Sequence, residues 1–116
     1  MENRNIIILK KILRYCEEVE QTNEMFANDR EKFFAEDGFI YRNAVCMPIL
    51  QIGELVGNLS EEFRSTYNQI PWKQIKGMRN IFAHKYGTMD NEVSWNTAQE
   101  DIPELKKYIE TIIGTD

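Results

Sequence analysis

Two cysteines, one histidine and three prolines are all that this chain of 116 residues holds of those types, and each shortage excludes something. Cys16 and Cys46 each fall inside an apolar helical pattern, so they read as buried core thiols and not as a disulfide framework. One His and two unclustered Cys cannot close a nitrogen and sulfur metal site, and no carboxylate lies in the segment around His84, so no metal is expected. Long apolar runs are absent as well, which leaves nothing of membrane-spanning length. The opening "MENRNIIILKKILRYCEEVE" breaks its apolar residues with Lys10, Lys11 and Arg14, unlike a secretory signal, so a cytoplasmic protein with no membrane partner is expected. Gly53 and Gly57 sit in an apolar helical pattern with no strand before them, which is not a phosphate cradle, and no cofactor is implied.

What is present is helical periodicity. Ile6, Leu9, Leu13, Cys16, Val19 and Phe26 predict a first long helix over residues 4–26, with Asn3 or Asn5 as its N-cap. A short helical piece is expected through Lys32 to Ala35, then a turn at "EDGF". Ile40, Ala44, Met47, Ile52, Leu55, Val56 and Leu59 predict a second long helix, kinked or short of a hydrogen bond at Pro48. Ser60 reads as the N-cap of a short turn, and Pro71 as a first-turn residue of a third major helix that ends at Gly87. A fourth segment carries Val93, Trp95, Ala98 and Ile102, and a last one follows Pro103 with Leu105, Tyr108, Ile109 and Ile112. With no repeat, linker or strand signal, the expected fold is all-α: one domain over residues 1–116, a four-helix up-and-down bundle with short accessory helices.

A net charge of −5 argues against a nucleic-acid partner for the chain as a whole. Yet no Asp or Glu occurs from Phe63 to Met89, while Arg64, Lys73, Lys76, Arg79 and Lys85 all do. A solvated surface and a local anion site fit that window equally well. It contains "MRNIFAHKYG", with Arg79, Asn80, His84 and Tyr86 close together.

At 100° per residue, Ile75, Met78, Phe82 and Tyr86 form one stripe, which must face the core, and Arg79 borders it. His84 lies opposite, on a face shared with Gly77, Asn80 and Ile81, which removes it from the core. Gly77 costs about 1 kcal/mol against Ala inside a helix, a cost explained if another backbone approaches there, and a second copy of the chain is the obvious candidate. Taken singly, Tyr86 is ordinary packing at the end of a core stripe and Arg79 an ordinary surface cation.

"RNIFAHKYG" resembles the HepT-like branch of the HEPN superfamily, whose signature is an Arg, a polar residue that is often Asn, a His after four to six residues, any residue, and a Tyr. Arg79, Asn80, His84 and Tyr86 match it position by position. The flanks "QIGELVGNLS", "IPWKQIKGMRN" and "DNEVSWNTAQEDIPELKKYI" resemble the family's helices in the same order, so the likeness covers most of the chain. The resemblance implies a homodimeric, metal-independent ribonuclease toxin, paired with a small nucleotidyltransferase antitoxin that transfers AMP onto the motif tyrosine, here Tyr86. In that chemistry His84 suits the base that takes the ribose 2′-hydroxyl proton, Arg79 the cation that stabilises the phosphorane, and Asn80 a group that orients the imidazole or binds phosphate. Arg79 and His84 stand about 140° apart on one helix, and one chain has only one His where an acid and a base are needed; a dimer apposing the motif helices at Gly77 answers both difficulties. The competing reading is a non-catalytic scaffold subunit for the nucleotidyltransferase; the intact Arg79, His84 and Tyr86 favour the enzyme, while the acidic overall charge weakens RNA binding.

Overall fold

The computed structural model describes residues 4–84 and 91–114, with the side chains of 79–84 outside the described set. In chain order the elements are α1 (Arg4–Met25), α2 (Arg30–Phe34), α3 (Phe39–Val56), α4 (Glu61–Thr66), α5 (Trp72–His84), α6 (Asn91–Asn96), a π-helical turn (Thr97–Asp101) and α7 (Ile102–Gly114). Among the described residues there is no strand, and the expected all-α class holds.

Helix α3 is the centrepiece, with α1 packed along one side and α5 along the other, while α7 closes on α1. The core runs through Leu9, Ile12, Cys16 and Val19 of α1, Tyr41, Val45, Ile49, Ile52 and Val56 of α3, and Ile102, Leu105 and Ile109 of α7. Cys16 and Cys46 are buried there, and burial pushes both thiols up to about 12. One end of the bundle is plugged by Phe26 stacked on Tyr41 at 4.4 Å, with Phe33 edge-on to the same ring at 5.0 Å. Phe63, Tyr67 and Trp72 gather at the opposite end.

The local signals explain most boundaries. The Ser60 hydroxyl accepts from the Phe63 N–H and caps α4, and Asp29 does the same for α2 through Lys32. Asn5 is not a cap: it lies inside α1, and its amide both accepts from the Ser60 N–H and donates to the Ser60 hydroxyl, tying the start of α1 to the turn after α3. Pro71 stands one residue before α5, its carbonyl accepting the Ile75 N–H. Helix α3 continues through buried Pro48; the carbonyl four residues back belongs to exposed Ala44, where water can serve it.

Pro103 departs from expectation in an instructive way. It does not separate two segments, because the helical path runs on from Asn91 to Gly114 by widening to a π turn. The Ile102 N–H reaches back five residues to the Thr97 carbonyl. The next such bond would join residue 103 to the Ala98 carbonyl, and proline has no N–H to give. Asn23 supplies the missing donor from α1, at 3.2 Å, while its own Oδ1 accepts the Tyr41 hydroxyl at 2.6 Å. A proline that would have ended the helix is thereby built into it by one buried amide.

A second departure concerns α3. Ile40, Ala44 and Met47, which helped to mark this helix in the sequence, are all exposed, and Tyr41, Val45 and Ile49 face inward. This helix is apolar on nearly every side, so period alone could not tell which stripe the core would take.

Candidate functional site

Helix α5 carries the motif, and its first two turns hold it in place. Trp72 is buried and its indole N–H donates to the Tyr67 carbonyl at 3.0 Å, while Ile70 and Ile75 are buried beside it. Lys76 lies across Gly57 at the end of α3: a Cβ added there would come 3.5 Å from the lysine Cε. Contact at that point, together with packing along the length of α3, makes the two helices antiparallel neighbours.

The expected core stripe is supported as far as it is described, with Ile75 buried and Met78 half-buried. Arg79, Asn80 and His84 lie on unbroken helical backbone in the second half of α5. Tyr86 and the expected helix end at Gly87 lie outside the described residues. By helical register the positions of Asn80 and His84 fall on the same stripe of α5 as exposed Lys73 and half-buried Gly77. A Cβ added at Gly77 would meet nothing within 4 Å, so no contact inside this chain calls for glycine there. Of the other cations in the acid-free window, Lys73 and Lys76 are exposed on α5, whereas Arg64 sits half-buried on α4 with its Nε unpartnered.

The opposite flank of α5 is electrically different. There Ile70, Gln74, Ile75 and Met78 face Val93, Asp101, Glu104 and Leu105 across a groove of about 450 Å³. Partial desolvation first, then the neighbouring Glu100 and Glu104, hold the Asp101 carboxyl above its ordinary range, with a Thr97 hydrogen bond opposing them. Such a wall disfavours an anion on this flank of α5. Among the described residues no cluster of His, Cys, Asp or Glu could hold a metal, and no helix is long and apolar enough to cross a membrane.

Two features of interest escaped the sequence reading. One is the Asn23, Tyr41 and Ala98 joint, with Gln99 beside it; burial raises the Tyr41 hydroxyl above its ordinary range, the nearby Gln99 side chain partly opposes this, and the Gln99 Nε2 closes no well-formed hydrogen bond. An amide in the middle of an apolar pattern was its only signal. The other is the exposed apolar stripe of α3, whose signal was the excess of apolar residues around that helix.

Comparison with known proteins gives the family. The family model described as "Ribonuclease HepT-like" matches residues 12–112. A "Putative RNase" of Caldanaerobacter subterraneus subsp. tengcongensis is 35% identical over 109 residues, covering 90% of both chains. Another "Putative RNase", from Methanocaldococcus jannaschii, is 35% identical over 115 residues, or 97% of this chain and 95% of the relative. The "Gamma-glutamylcyclotransferase and putative RNase" of the same organism is 39% identical over 93 residues, and there the chain spans only 41% of the longer protein. No solved structure gives a significant match. With the family match running from α1 through all of α5 and into α7, the chain belongs to the HepT-like ribonuclease family.

Proposed function

We propose that this protein is a metal-independent RNA endonuclease, the toxin of a toxin–antitoxin pair. The observation that carries the reading is the placement of Arg79, Asn80 and His84 on one continuous helix that carries no acid of its own, beside a groove lined by Asp101 and Glu104. His84 takes the proton of a ribose 2′-hydroxyl, whose oxygen attacks the adjacent phosphorus. Arg79 stabilises the charge gathered on the phosphorane, and the bond to the 5′-oxygen then breaks as that oxygen receives a proton. Asn80 orients the imidazole or binds phosphate. The acid for the second step comes from the His84 of a second copy, because one chain has a single His. The open position at Gly77 is consistent with close approach by a partner on this flank.

In the same proposal the partner antitoxin is a nucleotidyltransferase that moves AMP from a nucleoside triphosphate onto the Tyr86 hydroxyl, releasing pyrophosphate. The added phosphate and its bulk then exclude the RNA phosphate from the cleft. The test is RNA cleavage in excess EDTA by wild type and His84→Ala. Cleavage by wild type alone is expected; equal cleavage by both sinks the role of His84, and loss in EDTA sinks metal independence. Mass spectrometry after co-expression with the antitoxin should find adenylate on Tyr86, and adenylate only elsewhere refutes the acceptor. The scaffold reading keeps one observation in its favour, the net charge of −5, and predicts that neither protein cuts RNA.

A further inference from the structure

Helix α5 packs on α3 and α7 packs on α1, and between α5 and the stretch from α6 into α7 the bundle stays open as the groove of about 450 Å³. Its floor is apolar: buried Ile70, Ile75 and Leu105 come from the loop before α5, from α5 itself and from α7. Its mouth is negative. Asp101 and Glu104 are exposed on the lining, three residues apart where the π turn runs into α7, and no lysine or arginine lines the groove. Among the described residues neither carboxylate forms a salt bridge.

The π turn is a second pointer. Such turns are rare within α-helices and collect at functional sites, and this one supplies both Thr97 and Asp101 to the lining, joined by a side-chain hydrogen bond. The Asp101 carboxyl is held above its ordinary range by partial desolvation and then by the negative charges of Glu100 and Glu104, a repulsion that a cation beside it offsets.

Size and charge together decide what fits. Small-molecule sites run from about 300 to 1,000 Å³ and are mostly apolar with a few placed polar groups, and this groove is of that kind. Two turns of a partner's helix, a cylinder about 10 Å across and 11 Å long, fill roughly 850 Å³ and are too large for it. An anion is repelled by both carboxylates, and a neutral apolar molecule leaves them unused. An ammonium on an apolar body satisfies floor and mouth at once.

We infer that the groove between α5 and α7 binds a small organic amine, its ammonium beside Asp101 and Glu104 and its apolar body on Ile70, Ile75 and Leu105. The inference stands apart from the proposed nuclease, because it uses no residue of the motif.

Hexylammonium, hexanol and hexanoate at pH 7 test it on the full chain, with calorimetry for affinity and backbone amide shifts for location. Hexylammonium is expected to bind with a dissociation constant on the order of millimolar, hexanol about tenfold more weakly and hexanoate not at all, with shifts centred on Thr97, Asp101 and Leu105. Butylammonium, shorter by two methylenes, should bind roughly 15-fold more weakly than hexylammonium. Asp101→Asn combined with Glu104→Gln, both at exposed positions, should keep the helical circular dichroism and bring hexylammonium down to the level of hexanol. Glu61→Gln combined with Glu62→Gln on α4, away from the groove, should leave the affinity unchanged. The proposal is overturned by a wild type that ignores hexylammonium at tens of millimolar, by hexanol binding as tightly as the amine, by undiminished binding in the Asp101 and Glu104 double variant, or by shifts confined to other parts of the chain. Acetyl-Leu-Lys-Leu-amide binding tenfold tighter than hexylammonium overturns it as well, because the groove would then receive a lysine of another protein and not a free amine.

Discussion

Two regions of this molecule place polar groups where an apolar bundle would not, and they differ in where the partners are. At the joint between α1, α3 and the π turn, Asn23 is buried and each end of its amide has a hydrogen-bond partner within the chain. On α5, Gly77 is open on its Cβ side and the helix itself carries cations and no acid. The first region is complete in one copy of the chain; the second is where the proposed function places RNA and a partner. Substitutions in the first should therefore cost stability and spare chemistry, and those in the second should do the opposite.

The largest effect belongs to the outward flank. His84→Ala should lower RNA cleavage by about 10²–10⁴-fold, the usual worth of a general acid or base, with the thermal midpoint moved by no more than a degree or two. A large fall in melting temperature would make His84 structural and erase the contrast.

The inner joint should answer in the other currency. Asn23→Leu leaves the Tyr41 hydroxyl and the Ala98 carbonyl buried without their partner, a loss of about 3 kcal/mol, or roughly 12–15 °C for a chain of this size. Pro103→Ala sharpens the point, because an N–H at position 103 can bond the Ala98 carbonyl itself. In that background Asn23→Leu should cost about 1 kcal/mol less, a coupling read from a double-mutant cycle. Additive costs would mean that Asn23 does not stand in for the proline.

The difference between these regions also explains what the sequence made legible. The motif stood out because Arg79, Asn80, His84 and Tyr86 are local in the chain, and helix α5 needed only Pro71, Ile75 and Met78 to be recognised. The joint was invisible because Asn23, Tyr41 and Ala98 are brought together by three separate elements, and no local rule announces that an amide will replace a missing N–H. Helix α3 was found without its inner face: with Ile40, Tyr41, Ala44, Val45, Met47 and Ile49 all apolar, the choice of inner face depended on which neighbours arrived. The fold class was therefore open to periodicity, whereas tertiary pairing was not.

Gly77→Ala tests the outward flank from the opposite direction. An added Cβ meets nothing within the chain, so the helix should gain about 0.5–1 kcal/mol and the melting temperature should rise. If RNA or a partner backbone needs that space, cleavage falls while stability grows. A variant both more stable and fully active would leave the glycine with no functional reason.

The smallest effect lies on the acidic flank of α5, and its sign is set by linkage. The folded protein holds the Asp101 carboxyl above 3.8, so over that window the native state binds the proton more tightly than the unfolded chain. Stability contributed at this site is then present at low pH and lost as pH rises through the raised value. Asp101→Asn removes the charge and can keep the contact with Thr97, so it should stabilise the protein at pH 7, by less than about 0.5 kcal/mol because the residue is exposed and screened. The advantage should shrink as pH falls below about 4, where the native carboxyl is already neutral. Denaturant midpoints of both proteins at pH 7 and pH 3.5 read the difference. If the variant is less stable at pH 7, the groove wall is not a site of unfavourable negative charge, and the proposed exclusion of phosphate from that flank of α5 loses its support.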